Sequence, residues 1–184
     1  GALIDKKEEK EILKEFEKYN LTDSKKISYK NRYILRDIIE KNALYFSVNF
    51  VDEKIIDEVN ILNATKISIK NNLNYICDKF QIKLDLLIID GNFLVDFNIV
   101  QKSIIKGDSK SASIAAASIL AKVYRDEFME KMDEKYPEYG FSKHFGYGTK
   151  QHLDMIKKYG PSSIHRKTFY PISEFFSKQI FFEF

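Results

Sequence analysis

Two short apolar runs that each stop at an acidic residue constrain the fold of this chain most. Residues 86–89 (LLII) end at Asp90, and residues 104–105 (II) are followed by Lys106, Gly107 and Asp108. A carboxylate directly after a buried strand lies at the strand's carboxyl end, where open α/β sheets place their sites. Strands close in sequence are usually neighbours in a sheet, so Asp90 and Asp108 should converge at one edge. Such oxygen ligands suit Mg²⁺ or Mn²⁺.

Strand and helix patterns alternate along the rest of the chain, which predicts an α/β fold. Leu44, Phe46, Val48 and Phe50 alternate with polar or smaller residues, which predicts a strand buried on one face. Predicted helices span residues 8–19, 28–41, 61–80, 111–136 and 150–159, and predicted strands span residues 44–51, 84–89 and 99–105. Residues 2–4 are typical of a strand end, and Asp52 is expected to cap a further short helix.

The 28–41 helix should begin at Ser28 and turn Tyr33, Ile34 and Ile38, with Leu35 as a further candidate, towards the core. The aromatic tail at residues 175–184 either packs back on the core or is exposed.

The amino-acid composition limits the classes of protein to which this chain can belong. The 184 residues are 44% hydrophobic and 31% charged, as in one globular domain. No apolar run approaches the roughly 20 residues that a membrane span needs. The lone Cys77 excludes an internal disulfide and fits a reducing cytoplasm. We therefore expect a cytoplasmic protein without a membrane partner.

Positive charge is concentrated near the C-terminus. Residues 141–170 hold six Lys or Arg and one acidic residue, interleaved with aromatic residues and glycine. This pattern suits contact with a nucleic-acid phosphate backbone. The alternative is a solvated helix face and a loop. His144, His152 and His165 are spread over loop and helix without the spacing of metal ligands, so no zinc site is expected.

A series of short motifs runs through the chain in a fixed order. It consists of Asp23-Ser-Lys25, Asn60-Ile-Leu-Asn-Ala-Thr65, Ile89-Asp-Gly91, Lys106-Gly-Asp108, Ala115-Ala-Ala-Ser-Ile-Leu-Ala-Lys-Val-Tyr-Arg-Asp126, Tyr136-Pro-Glu-Tyr139, Gly146-Tyr-Gly-Thr149 with His152, and Ile164-His-Arg166 with Phe169. The ordered set resembles bacterial ribonuclease HII from residue 21 to about residue 171.

The resemblance implies a ribonuclease H-like fold, with a five-stranded mixed sheet flanked by helices. Residues 1–136 would form the catalytic core, and residues 137–184 a substrate-binding segment packed on the same domain. The implied activity is endonucleolytic cleavage of the RNA strand of RNA–DNA hybrids, and cleavage 5′ to single ribonucleotides embedded in duplex DNA. It would proceed by two-metal-ion hydrolysis with Mn²⁺ or Mg²⁺, leaving 3′-hydroxyl and 5′-phosphate ends. A monomer is expected.

The resemblance also assigns residues. Asp90 and Asp108 match the third and fourth of the family's four metal-binding carboxylates. Tyr147 matches a tyrosine that packs at the DNA–RNA junction and helps to sense the 2′-hydroxyl; the alternative is a ring packed on the adjacent helix. Lys25 matches a lysine near the phosphate backbone, and Lys106 is a further candidate for substrate contact.

Two residues are expected to support the site rather than form it. Asp126 lies four residues after Lys122, so a helical ion pair explains it as well as a role in the site. Arg166, next to His165, is expected to be structural or to lie on the phosphate side.

One departure from the family pattern is large. The family carries its first two carboxylates in an Asp-Glu-Ala-Gly-Arg-Gly signature, which does not occur here. Alignment at Asp23 would put that signature and the first strand before Gly1, so we expect an N-terminally truncated member. The alternatives are an inactive RNA–DNA hybrid-binding domain and another ribonuclease H-like nuclease, of the resolvase or transposase type.

Overall fold

The computed structural model of the protein describes residues 2–3, 14, 18 and 27–179. Contacts divide the chain into two compact units. The first unit comprises Gly1–Phe50 and Lys66–Tyr124, and the second comprises Val51–Thr65 and Arg125–Phe184. The helix predicted over residues 8–19 lies outside the described residues, except for Lys14 and Lys18, which are helical. The predicted division at residue 136 stays a prediction.

Helices and strands alternate along the described chain. The strands are β1 (Ala2–Leu3), β2 (Tyr45–Phe46), β3 (Leu86–Asp90) and β4 (Val100–Ile104). The helices are α1 (Tyr29–Asn42), α2 (Glu53–Phe80), α3 (Ala112–Lys135), α4 (Phe141–His144), α5 (Lys150–Tyr159) and α6 (Ile172–Gln179), with 3₁₀ turns at Gly107–Ser109 and Pro137–Tyr139. This order confirms the predicted α/β class.

The described strands form two pairs. β3 and β4 are parallel, with Leu86 opposite Val100 and Asp90 opposite Ile104. β1 and β2 are antiparallel. The predicted neighbourhood of the strands that precede Asp90 and Asp108 is therefore confirmed. The amide of Gly91 extends the pairing by donating to the carbonyl of Ile104 at 3.1 Å.

The strand predicted over residues 44–51 is wrong in its length, and its predicted buried face is correct only for Phe46 and Val48, which pack against the core. Only Tyr45–Phe46 pairs with another described strand. Leu44 and Phe50 are about half exposed, whereas Ser47 is buried. The Ser47 hydroxyl donates to Asn72 Oδ1 at 2.7 Å, and this bond compensates the polar group for its lost water.

Helix α1 begins as predicted, because the Ser28 hydroxyl accepts a hydrogen bond from the Asn31 amide at 3.3 Å. Its predicted inward face is confirmed for Leu35, Tyr33 and Ile38, which belong to the core or pack against it. Leu35 and Ile39 are fully buried, while Ile34 is only partly so. They pack with small and branched residues of the first half of α3: Ala112, Ala115, Ala116, Ile119, Leu120 and Val123.

The two helices predicted on either side of Asn60 are confirmed as two helical segments of α2. Asp52 Oδ1 caps the first by accepting from the Ile55 amide at 2.9 Å. Asn60 has a left-handed φ of 68°, which interrupts the helix. Its side chain then accepts from the Asn63 amide at 3.1 Å and starts the second segment. Asparagine tolerates this backbone region better than most residues do.

The second unit has its own core. Its buried members are Met129, Tyr139, Phe141, Ile156 and Ile172. Phe175 and Phe176 pack against them, so this part of the aromatic tail returns to the core. Residues 180–184 lie outside the described residues. Within the described ranges, no helix is long and apolar enough to cross a membrane.

Replacing Leu35 with Ala should lower the free energy of unfolding by about 2–5 kcal/mol, because it opens a cavity at a fully buried position. The matched control is Leu44→Ala, which truncates a leucine that is 48% exposed and should cost about 0.5 kcal/mol or less. Urea denaturation of both variants measures the difference. Equal losses would contradict the burial of α1 through Leu35.

Candidate functional site

The carboxylate of Asp90 is fixed at the carboxyl end of β3. Its Oδ1 accepts a hydrogen bond from the Gly107 amide at 2.8 Å. That amide follows β4, so the contact links the two strand ends. Asp90 is exposed, and the bond orients its carboxylate without removing it from solvent. The predicted convergence at this sheet edge is therefore present as a contact between Asp90 and the segment that carries Asp108.

The turn after β4 is tightly packed. Lys106 has a left-handed φ of 55°, and its carbonyl accepts from the Ser109 hydroxyl at 2.8 Å. Gly107 is buried; a Cβ there would lie 2.7 Å from Ile114 Cδ1 and 3.4 Å from Asp90 Oδ1. A larger residue here would therefore force the Ile114 side chain to move before the backbone could come this close to Asp90. The Lys106 side chain is exposed.

Asp108 lies in the 3₁₀ turn directly after Gly107 and is half-buried. Asp90 and Asp108 are both hard oxygen donors, which fit Mg²⁺ or Mn²⁺ rather than a soft metal. Among the described residues, no group of three or more His, Cys, Asp or Glu side chains is placed to hold a metal ion. The two carboxylates therefore fit the chemistry of such an ion as part of a ligand set.

Tyr147 lies in a loop of the second unit between two glycines. Its ring is 57% exposed, and the guanidinium carbon of Arg125 lies 4.4 Å from the ring centroid. The ring thus contacts α3 and still faces solvent. Gly146 has a φ of +74°, and a Cβ there would lie 3.3 Å from Met129 Cε. A Cβ at Gly148 would meet no atom within 4 Å. The close packing of this loop against Met129 therefore requires glycine at position 146 but not at position 148.

Arg125 is a site candidate that the sequence analysis missed. Its Nη1 is buried and has no hydrogen-bond partner among the described residues. A buried donor without an acceptor costs about 1–3 kcal/mol, so a ligand atom that accepts from it would bind favourably. Helical spacing gave no signal for this residue, because its partner Tyr147 is 22 residues further along the chain.

Arg166 lies in the same unit, stacked on an aromatic ring. Its guanidinium carbon is 3.6 Å from the centroid of Phe169. Burial, followed by the charge of Arg125, lowers the pKa of Arg166, and Asp57 partly offsets both effects. Two arginines that repel each other in a partly buried place form a surface that an anion would stabilise.

Asp57 holds the backbone next to Arg166. Its carboxylate accepts from the amides of Lys167 and Thr168 at 2.7 and 3.0 Å, and from the Thr168 hydroxyl at 2.6 Å. Burial alone would raise the pKa of Asp57. The hydrogen bonds from Thr168 and Lys167 and the charge of Arg166 outweigh burial, and the pKa of Asp57 is lowered.

The three histidines, for which the sequence analysis noted only the lack of metal-ligand spacing, form one cluster. The His144 and His152 rings stack with centroids 4.4 Å apart, and the His165 ring lies 5.3 Å from that of His152. Spacing in sequence did not indicate this, because α4, α5 and the segment after α5 supply one histidine each.

The predictions for two other site residues, Asp126 and Lys25, stay predictions. Asp126 is buried in the second unit, with 2% of its surface exposed. The Lys122 ammonium, four residues earlier, donates to the Ser118 hydroxyl at 3.0 Å. Lys25 lies outside the described residues.

Comparison with known proteins identifies the family. A sequence model described as ribonuclease HII matches residues 1–171. The chain belongs to the ribonuclease HII family. This confirms the predicted resemblance. Members of the family depend on a divalent metal ion.

Proteins named ribonuclease HII from three bacteria illustrate the likeness. The protein of Acetivibrio thermocellus is 51% identical over 152 residues, which is 81% of this chain and 57% of that protein. The protein of Caldicellulosiruptor saccharolyticus is 48% identical over 80% of this chain and 70% of its own length. That of Lactobacillus acidophilus is 44% identical over 90% and 64%. The chain thus spans less than two thirds of the length of some curated relatives that it matches.

Two solved structures share the fold. Ribonuclease H2 from Pyrococcus horikoshii OT3 aligns with a TM-score of 0.75 at 23% identity, over 96% of this chain and 88% of that one. Ribonuclease HII from Archaeoglobus fulgidus, in its complex with PCNA, aligns with a TM-score of 0.65 at 22% identity, over 86% and 79%. These likenesses confirm the predicted ribonuclease H-like fold.

The packing of Gly107 can be tested with a matched pair of substitutions. Gly107→Ala should lower the free energy of unfolding by about 1–3 kcal/mol, because the new methyl group overpacks against Ile114. Gly148→Ala is the control, since its methyl group would enter open space. Both changes restrict the unfolded chain similarly, so the difference between their urea midpoints reports overpacking. Equal midpoints would contradict the close approach at Gly107.

Proposed function

We propose that this chain carries part of the active site of a metal-dependent endonuclease that cleaves the RNA strand of RNA–DNA hybrids. The same activity would cut 5′ to single ribonucleotides in duplex DNA and leave 3′-hydroxyl and 5′-phosphate ends. The observation that carries this proposal is the Asp90 carboxylate, fixed by the Gly107 amide at the strand end that precedes Asp108. Membership of the ribonuclease HII family supports it.

Asp90 and Asp108 would hold the Mg²⁺ or Mn²⁺ ion. When bound, the metal would supply charge neutralisation at the scissile phosphate and activation of water, optimally as a pair of ions. The chain's own contribution is orientation. The Gly107 amide binds Oδ1 of Asp90, whose side chain is exposed, and the other carboxylate oxygen would serve as the metal ligand. The rigid strand end keeps that oxygen in place.

Lysines would contact the phosphate backbone next to these carboxylates. Lys106 directly precedes Gly107, and its left-handed backbone leaves its ammonium group in solvent. A cation there would attract a phosphate and limit the repulsion between the substrate and the two carboxylates. We propose the same contact for Lys25.

Tyr147 would recognise the ribose. Discrimination of RNA from DNA needs a group that contacts the 2′-hydroxyl. The exposed ring of Tyr147 offers a hydroxyl and a flat face, and Arg125 supports it from one side by a cation–π contact. The unsatisfied Arg125 Nη1, with Arg166 in the same unit, would bind an acceptor of the substrate such as a phosphate oxygen.

The biological setting is part of the proposal. Cleavage at embedded ribonucleotides would begin their removal from replicated DNA. The lone thiol of Cys77 is compatible with a reducing cytoplasm, where we place the protein.

A second candidate function is binding of RNA–DNA hybrids without cleavage. It is favoured by one observation: among the described residues, no group of three or more His, Cys, Asp or Glu side chains is placed to hold a metal ion. Substitution of Asp90 separates the two functions, because only cleavage requires its charge.

Asp90→Asn should lower the cleavage rate on duplex DNA with one ribonucleotide by about 10³-fold or more, since several kcal/mol of charge stabilisation is lost. Affinity for the duplex should change little. Asp85→Asn is the control, because Asp85 is exposed just before the opposite end of β3. Gel assays with Mg²⁺ or Mn²⁺ measure both. A parent chain that binds the duplex without cutting it would instead support the binding function.

Tyr147→Phe should reduce the preference for a ribonucleotide-containing duplex over all-DNA roughly 2- to 10-fold, because one hydrogen bond is lost while the cation–π contact stays. Tyr170→Phe removes a hydroxyl from a tyrosine that is 79% exposed and should leave the preference unchanged. Competition binding with the two duplexes gives the ratio. An unchanged ratio for Tyr147→Phe would exclude its hydroxyl from ribose recognition.

A further inference from the structure

The loop that carries Tyr147 is attached to the histidine cluster through its backbone. The Gly146 amide donates to His144 Nδ1 at 3.3 Å, and the Tyr147 carbonyl lies 3.0 Å from His152 Nδ1. His144 and His152 are both buried, with 5% of their surface exposed. The proposed function gives these rings no part, yet they contact the residue on which ribose recognition would depend.

The direction of the hydrogen bonds can be worked out from their ends. The Ser162 amide lies 2.9 Å from His165 Nδ1, and a backbone amide can only donate. His165 Nδ1 is therefore an acceptor, and the proton of the neutral ring is on Nε2. That Nε2 lies 3.1 Å from His152 Nε2 and donates to it.

The second ring is then fixed as well. Because His152 Nε2 accepts, its proton is on Nδ1, which donates to the Tyr147 carbonyl. His144 fits the same scheme with the opposite tautomer. Its Nδ1 accepts from Gly146, and its Nε2 donates to the Tyr139 carbonyl at 3.1 Å. With all three imidazoles neutral, every ring nitrogen of the cluster has a partner, and the Ser162 hydroxyl lies 2.7 Å from His165 Nδ1 as well.

We propose that His165 and His152 are positioning residues that hold the Tyr147 loop through this directional chain, and that the chain exists only while both rings are neutral. The inference rests on the proposed function for its consequence, namely selection of ribonucleotide-containing duplexes. The network itself does not depend on that function.

A second proton would break a different link on each ring. On His152 it would set two N–H donors against each other at 3.1 Å and so break the link to His165. On His165 it would displace the Ser162 amide from Nδ1, where the Ser162 hydroxyl at 2.7 Å can then accept, while the link to His152 stays. Burial, followed by the neighbouring ring His152, lowers the pKa of His165 to about 4, although a hydrogen bond with the Ser162 backbone opposes this. Burial, with His144 nearby, also lowers the pKa of His152, although the bond to Tyr147 opposes this.

The groups that face the rings do not favour a positive charge. His144 stacks on His152, and the ring of Tyr139 lies 5.2 Å from that of His165. Phe141 contacts all three histidines. No carboxylate of the described residues hydrogen bonds to either His152 or His165.

The sign of the pH dependence follows. Since the folded pKa of His165 lies below the ordinary value of 6.5, the unfolded chain binds more protons between these values. The contribution of neutral His165 to stability is complete above pH 6.5 and is lost as the pH falls towards 4. The link from the Ser162 amide to His165 should therefore be intact at neutral pH and lost on acidification, and the loop should be released when His152 is protonated as well.

The network is tested first without any substrate. In ¹⁵N-histidine-labelled protein, long-range ¹H–¹⁵N spectra at pH 6 should show His165 neutral with its proton on Nε2, and His152 neutral with its proton on Nδ1. The amides of Gly146 and Tyr147 should shift on acidification with the midpoint of the rings. A cationic ring at pH 6, or the opposite tautomer on either histidine, would overturn the proposal.

The consequence for selection is tested with three replacements of His165. Gln places an amide near the Nε2 position and can donate to His152, whereas Asn reaches only the Nδ1 position and Leu offers no donor. His165→Leu and His165→Asn should raise the KM for a ribonucleotide-containing duplex roughly tenfold, with kcat and the affinity for all-DNA duplex unchanged. His165→Gln should stay within about twofold of the parent chain.

Circular dichroism melts show which variants fold. If His165→Leu does not fold, the comparison of the Gln and Asn variants carries the test. Equal KM values for Gln and Asn, both folded, would overturn positioning through His152. If the parent chain cleaves nothing, the proposed function fails, while the tautomers in the spectra still decide whether the network exists.

Discussion

The hydrogen bond from the Gly107 amide to Asp90 is the contact on which the first unit's site depends. Parallel pairing brings β3 and β4 side by side, but pairing alone would leave each strand end to a separate loop. The bond between the strand ends makes one rigid edge from two segments that are 17 residues apart. The absence of a side chain at Gly107 permits it, and Ile114 of α3 fills the space that a methyl group would take. Gly107 is therefore constrained twice, by the packing of Ile114 and by its hydrogen bond to Asp90.

In the second unit, histidine side chains hold the loop that carries Tyr147. A loop that presents an exposed tyrosine cannot be held by burying that ring, because burial would hide the group that should meet a substrate. Here the backbone of Gly146 and Tyr147 is bound instead, by one acceptor and one donor of two buried histidines. Buried polar groups of this kind are stable only when each is satisfied, so the protonation state of the cluster and the loop conformation are coupled. Asp57 holds the Arg166 segment by the same means.

Local signals in the sequence predicted much of the fold. Caps at Ser28 and Asp52, the interruption at Asn60 and the strand ends at Asp90 and Asp108 all follow from the preferences of single residues. The prediction over residues 44–51 was wrong in part because it relied on alternation. Alternation shows which residues are apolar, but it does not show which polar residue will find a hydrogen-bond partner and be buried. Ser47 is buried because Asn72 is available to it, and nothing near Ser47 in sequence indicates that. Ile39 was missed for a related reason, since the face of α1 that is buried is set by where α3 packs.

The parts of the candidate site that are marked by neighbouring residues in the sequence were predicted, and the parts that form through distant partners were not. Asp90 and Asp108 each follow an apolar run, so each was recognisable alone, and the ordered motifs gave them a family. Arg125, Asp57 and the histidine cluster act through partners 13 to 111 residues away. Their chemistry comes from pairs: a guanidinium over a ring, a carboxylate that receives two amides, a proton placed by the neighbour's proton. The sequence around one such residue does not indicate which distant residue it will contact. His165 is the clearest example. The Ser162 amide determines its tautomer, and His165 acts on Tyr147 only through His152.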